Sequence, residues 1–176
     1  MTELGGTRRI DRILGPQYAD GLVHMSLDEL RSRRDECLAE REYLSLLRRL
    51  VQGRAEILKA EIDRRGGTGQ AGSLVERLSK VLSSEGHSTS RGEAVKVVLP
   101  EEEMLQARRR VERLVMDAGL SDPAALDDLQ LSGAVDVLEA KEQEVSRDRS
   151  AVIEVLDRVQ EELKRRYKDD PSLVLS

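Results

Sequence analysis

The strongest constraint in this sequence is an apolar residue at every seventh position of one segment. The series consists of Leu30, Cys37, Leu44, Val51 and Leu58, which take the d positions of a heptad repeat. Ser26 and Glu29 form a capping box ahead of it, and no proline follows before Gly66. The pattern predicts one helix from Leu27 to Arg65, about 58 Å long at roughly 1.5 Å per residue. A helix of that length needs a partner along much of its length.

A second long helix is predicted near the other end of the chain, from a candidate cap at Ser132 to about Tyr167. Its d positions are Leu138, Val145, Val152 and Val159, and its a positions are Val135, Glu142, Arg149, Leu156 and Leu163. With 36% charged and only 2% aromatic residues, the 176-residue chain suits long helices packed along seams rather than a globule built around rings. The predicted class is therefore all-α.

Polar residues interrupt the a positions of both helices. In the first helix three successive a positions are arginines, Arg34, Arg41 and Arg48. Polar residues at a positions fix register or partner choice, and arginine can extend past the seam into water. For any one of these residues, a structural role is the first interpretation.

A group of five residues recurs in the same heptad register on both helices, 101 residues apart. The members are Arg41, Ser45, Arg48, Gln52 and Glu56 in the first helix and Glu142, Ser146, Arg149, Ile153 and Asp157 in the last. Their spacing keeps each group within an arc of about 80° on its helix. Arginine offers a planar cation for a phosphate or a purine face, serine a short donor, and a carboxylate a paired acceptor for the N–H edge of guanine. The duplication indicates an anionic, planar ligand, or a pair of them, with approximate two-fold character.

These groups resemble the motif E-x3-S-x2-R-x3-Q-x3-D of the RsiG family of anti-sigma factors. Seven of the ten positions match, while Arg41 replaces the leading acid, Glu56 the closing aspartate and Ile153 the glutamine. The resemblance implies that the first and last long helices pair as a long antiparallel two-helix coiled-coil hairpin, with shorter helices between them. Each long helix would carry one copy of the motif.

The same resemblance implies a ligand and a partner. The family binds cyclic di-GMP, as a stacked pair of two molecules, and the bound form sequesters a WhiG-type sigma factor of sporulation or motility to block transcription. The residues expected to bind cyclic di-GMP are Arg41, Ser45, Arg48, Gln52, Glu56, Glu142, Ser146, Arg149 and Asp157. The expected protein is a cytoplasmic regulator that is monomeric before it binds its partner.

Five segments are predicted along the chain. They are a partly disordered tail at 1–25, a first coiled-coil helix at 26–65, a linker with short helices at 66–130, a second coiled-coil helix at 131–168 and a tail at 169–176. The first tail is expected to dock in part through Ile10, Ile13 and Leu14. Pro100 and the three glutamates after it predict a helix start, whereas residues 94–99 fit either a strand or the lead-in to that helix.

The first helix also has a second apolar face, away from the d stripe. It consists of Tyr43, Leu46, Leu47, Leu50 and Ile57. A face exposed to water is not expected to be so apolar. We expect it to pack on the middle helices or to form part of the partner surface.

Composition argues against several other classes. A net charge of −5 disfavours direct DNA binding, and one cysteine with two histidines predicts neither a metal site nor a disulfide framework. No phosphate-binding loop or zinc signature suggests an enzyme, and no catalytic residue is predicted. Without a long apolar run or a leader, no membrane span is expected. The alternative to a nucleotide-binding regulator is a structural coiled-coil adaptor whose arginines set helix orientation through pairs such as Arg48 with Glu142.

Overall fold

The computed structural model describes residues 8–67, 71–83, 97–117 and 122–174, and these contain helices and no strand. The five α-helices are α1 (Arg9–Ile13), α2 (Leu27–Arg65), α3 (Ala71–Ser83), α4 (Glu101–Asp117) and α5 (Asp128–Asp169). Short 3₁₀ helices span Leu22–His24, Pro123–Ala125 and Pro171–Val174. The long helices α2 and α5 pack together, which confirms the all-α class and the pairing of the first and last long helices.

The two long helices begin at reciprocal caps. The Ser26 N–H donates to Glu29 Oε2 at 2.7 Å, and the Glu29 N–H donates to Ser26 Oγ at 3.2 Å, which confirms the predicted box. The prediction of Ser132 as the cap of α5 is wrong, because the helix begins at Asp128. Asp127 caps it instead: its side chain accepts from the Gln130 N–H at 2.7 Å, and the Gln130 side chain accepts from the Asp127 N–H at 2.9 Å.

The chain divides into two compact units, to which α2 and α5 both contribute. The terminal unit comprises residues 1–42 and 147–176, and the central unit comprises residues 43–146. In the terminal unit, Leu30 of α2 forms a buried cluster with Val159 and Leu163 of α5. Partly buried residues around this cluster are Leu22, Met25, Leu27 and Tyr167.

In the central unit, α2 and α5 run antiparallel. Arg48 contacts Glu142, Lys59 contacts Glu139, and Arg65 contacts Asp128, so positions rise along α2 as they fall along α5. The d positions of both helices in this unit are buried, namely Leu44, Val51, Leu58, Leu138 and Val145. The seam predicted from the heptads is therefore the packed core between the two helices.

The described part of the N-terminal segment packs against α2 within the terminal unit. Of the three residues expected to dock it, Ile13 is buried, Ile10 is half-buried and Leu14 is exposed. Polar contacts also hold this segment: the Tyr18 hydroxyl donates to Glu36 Oε2 at 2.7 Å, and Arg9 Nε donates to Glu40 Oε2 at 2.5 Å. Residues 1–7 lie outside the described residues.

The second apolar face of α2 is unevenly covered. Leu47 is buried, Tyr43, Leu46 and Leu50 are half-buried, and Ile57 is exposed.

The helix α4 begins directly after Pro100, as predicted, and buries Ala107, Val111 and Val115. Residues 97–100 are neither helix nor strand, and residues 94–96 lie outside the described residues.

Cys37 provides a test of the seam in the terminal unit, because it is the only cysteine of the chain and is 0% exposed. Burial raises the pKa of its thiol to about 11. Since the thiolate is the reactive form, we expect iodoacetamide at pH 8 to leave the native protein unlabelled and to label it fully in guanidinium. Mass spectrometry measures both states. Rapid labelling of the native protein would show that the seam is open at Cys37.

Candidate functional site

Four motif residues meet in one polar cluster in the central unit. Arg48 and Gln52 lie on α2, and Glu142 and Ser146 lie on α5. Arg48 Nε donates to Glu142 Oε1 at 2.6 Å, Gln52 Nε2 donates to the same oxygen at 3.1 Å, and Ser146 Oγ donates to it at 2.9 Å. We call these four residues the polar cluster; it joins residues from both copies of the motif.

Helix geometry explains why these side chains converge. Arg48 and Gln52 are four residues apart on α2, and Glu142 and Ser146 are four residues apart on α5, so each pair shares one helix face. Arg48 and Glu142 take a positions beside the buried d residues Val51 and Val145. The apolar seam therefore brings the two polar faces together.

The polar cluster is partly shielded from water. The Arg48 side chain is 31% exposed and the Glu142 side chain is 22% exposed. Burial raises the pKa of Glu142, but hydrogen bonds from Arg48 and Ser146, the charge of Arg48 and a hydrogen bond from Gln52 together hold it below its usual value. Glu142 is thus ionised at neutral pH, and the cluster contains a cation and an anion in contact.

The other two predicted residues of the central unit differ in their access to solvent. Ser45 is 2% exposed, so a ligand can reach its hydroxyl only if neighbouring side chains move. Glu56 lies near the surface of the seam, where Lys59 Nζ donates to its Oε1 at 3.3 Å. Lys59 also forms an ion pair of 2.8 Å with Glu139 on α5.

Three predicted residues belong to the terminal unit. Arg41 is half-buried and forms a 2.8 Å ion pair with its neighbour Glu42. Arg149 is half-buried, and Asp157 is exposed. Ile153, which replaces the motif glutamine, is half-buried. The structure therefore brings together four of the nine predicted residues and assigns Arg41, Arg149 and Asp157 to the other unit.

Sequence reasoning missed two residues beside the predicted site, Lys59 and Glu139. The position of Lys59, three residues after Glu56, is a signal for an ion pair on one helix face. No comparable signal marks Glu139, because its role depends on how α2 and α5 are aligned. Heptad positions give the face of a helix, but the partner across the seam depends on the axial register.

The chemistry of these residues suits a ligand that presents both hydrogen-bond acceptors and N–H donors. The polar cluster and Glu56 offer a guanidinium, an amide, a hydroxyl and two carboxylates, which together can bind phosphate oxygens and N–H edges. In the described parts of the chain, no group of three or more His, Cys, Asp or Glu residues could hold a metal ion. The helices within those same parts include none with the length and apolar character needed to cross a membrane.

Comparison with known proteins gives one family. A search of curated proteins found no match. The family model described as RsiG-like matches residues 16–82, a segment that contains the first motif copy and ends before the second. The chain is thus similar to the RsiG-like family over residues 16–82.

Proposed function

We propose that this protein is a cytoplasmic anti-sigma factor that binds cyclic di-GMP at its two motif copies. In the ligand-bound form it sequesters a WhiG-type sigma factor of sporulation or motility and so blocks transcription. It is a binding protein, not an enzyme, and it is a monomer before it captures its partner. One observation carries the proposal: the polar cluster joins Arg48 and Gln52 of one copy to Glu142 and Ser146 of the other.

The polar cluster has the donors and acceptors that cyclic di-GMP requires. The ligand presents anionic phosphates and guanine edges that donate two N–H groups. Arg48 can bind a phosphate or lie against a purine face, and Glu142 can accept the guanine edge. Partial burial strengthens both interactions compared with open water.

Nucleotide binding can affect capture of the sigma factor only if the nucleotide binds one arrangement of the helices more tightly than another. A nucleotide that bound two arrangements of the helices equally well would shift neither population. Arg48 contacts Glu142 across the seam. A phosphate that binds Arg48 removes this ion pair and leaves Glu142 with Gln52 and Ser146 as donors, so nucleotide binding changes the contacts across the seam. The sigma factor then binds the ligand-bound arrangement more tightly.

The contact between Arg48 and Glu142 also favours a second candidate, a structural coiled-coil adaptor without a nucleotide. Under this alternative the 2.6 Å pair fixes the alignment of α2 and α5, which is an established use of polar residues at a positions. The two candidate functions predict different results in two experiments. These are the binding of cyclic di-GMP and the exchange of the charges of Arg48 and Glu142.

Calorimetry with cyclic di-GMP tests the nucleotide site. We expect Arg48→Ala and Arg149→Ala each to weaken binding about tenfold to a hundredfold, because each removes a charged hydrogen-bond donor. Arg54→Ala is the control, since Arg54 is an exposed arginine of α2 outside the motif. Wild-type affinity in both motif variants would remove these residues from the site.

Capture of a purified WhiG-type sigma factor tests the regulatory step. We expect cyclic di-GMP to tighten capture at least about tenfold, and linkage requires the sigma factor to tighten nucleotide binding by the same factor. Biolayer interferometry measures the first quantity and calorimetry the second. Equal capture with and without nucleotide would contradict the gating step while leaving the anti-sigma role in place.

Exchanging the charges of the pair separates the adaptor from the nucleotide site. The double variant Arg48→Glu, Glu142→Arg keeps an ion pair across the seam, so we expect its melting temperature to stay near that of the wild type. We expect it to lose cyclic di-GMP binding, because the cation and the acceptor have changed places. Sigma capture retained at the wild-type level, with no response to nucleotide in either protein, would favour the adaptor.

A further inference from the structure

Lys59 links the closing acid of the first motif copy to the opposite helix. Its Nζ lies 2.8 Å from Glu139 Oε1 on α5 and 3.3 Å from Glu56 Oε1 on α2. The Glu56 side chain is 19% exposed and the Lys59 side chain is 36% exposed, so water screens this contact in part. Hydrogen bonding to Glu139, opposed by burial and reinforced by Glu56, raises the pKa of Lys59, which therefore stays charged.

The second motif copy has no equivalent link. A shift of 101 residues places Gln160 at the position of Lys59, and Leu38 takes the place that corresponds to Glu139. Asp157, the closing acid of that copy, is exposed and has no hydrogen-bond or ion-pair partner within the parts of the chain that the structure describes. The contact with a lysine therefore accompanies the copy in which glutamate replaces the aspartate of the motif.

The longer side chain of glutamate explains why such a contact matters. Glu56 has one more rotatable bond than aspartate, and fixing it in one geometry costs conformational entropy. The guanine edge carries two N–H donors and needs a carboxylate held in a bidentate orientation. Lys59 occupies one lone pair of Oε1, and the carboxylate retains the others for the base.

We infer that Lys59 is a positioning residue that holds Glu56 ready for the N–H edge of guanine and so sets the base preference of the first motif copy. This inference rests on the proposed function. Adenine presents a ring nitrogen acceptor where guanine presents an N–H donor, so an oriented carboxylate attracts guanine and repels adenine. Lys59 acts through Glu56 and through preorganisation, and it need not touch the ligand.

The test compares the dissociation constants of cyclic di-GMP and cyclic di-AMP by calorimetry. We expect Lys59→Ala to weaken cyclic di-GMP binding about fivefold to tenfold and to reduce the preference over cyclic di-AMP by a similar factor. Lys59→Arg should retain most of the preference, because it keeps a cation between the two carboxylates. In the Glu56→Gln background, Lys59→Ala should have no further effect.

Lys141→Ala is the matched control, because Lys141 forms a similar lysine–glutamate pair of 2.7 Å with Glu144 in the same unit but outside the motif. A general loss of stability would lower the melting temperature without changing the base preference. An unchanged base preference in Lys59→Ala, with cyclic di-GMP still bound by the wild type, would overturn this inference and leave the proposed function standing. Failure of the wild type to bind cyclic di-GMP would overturn both.

Discussion

The rest of this structure depends on burial of the d positions of α2 and α5. Helices of 39 and 42 residues contain too little apolar surface on most of their faces to be stable alone, so their shared seam supplies their stability. Residues at the seam are almost wholly buried along both helices, from Leu30 and Val51 on α2 to Val145 and Val159 on α5. Burial of the d residues also sets the orientation of the neighbouring a positions, and with it the orientation of the motif residues.

A partly exposed ion pair at a positions contributes little stability compared with an apolar seam. Replacing a buried ion pair with well-packed apolar residues is often neutral or stabilising by about 1–4 kcal/mol. Apolar a residues are present elsewhere, because Ala55, Val135 and Leu156 are buried in the same positions of the repeat. Apolar side chains of different sizes therefore fill other a positions of this repeat, whereas Arg48 and Glu142 form a charged pair. A requirement for helix alignment or for a ligand explains why charges are found there.

Much of the fold was predictable because it depends on local signals. The seven-residue period, the Ser26 box and the glutamates after Pro100 each act within a few residues, and the structure agrees with them. The docking of Tyr18 on Glu36 was not predictable, because no period marks the segment before α2. The start of α5 is also marked locally, because Asp127 and Gln130 form a reciprocal cap like that of Ser26 and Glu29. The prediction of Ser132 was wrong because Ser132 has no glutamate or glutamine three residues later to complete such a cap.

The candidate site could be predicted as a set of residues but not as a set of contacts. The heptads place Arg48 and Glu142 at a positions, which suggested that they pair, yet three donors on a single oxygen of Glu142 depend on side-chain conformations that no repeat encodes.

The contacts of Arg48, Gln52 and Ser146 with Glu142 affect how the proposed ligand would act. Because Arg48 is already bound to a carboxylate, a phosphate gains only the difference between two charged contacts, and the affinity is lower than the number of contacts suggests. The same exchange lets the ligand change the contacts between the helices, since a phosphate bound to Arg48 leaves Glu142 with only Gln52 and Ser146 and so short of one donor. A guanine edge supplies that donor, so one nucleotide can compensate both partners of the pair, whereas a simple anion such as inorganic phosphate compensates only one.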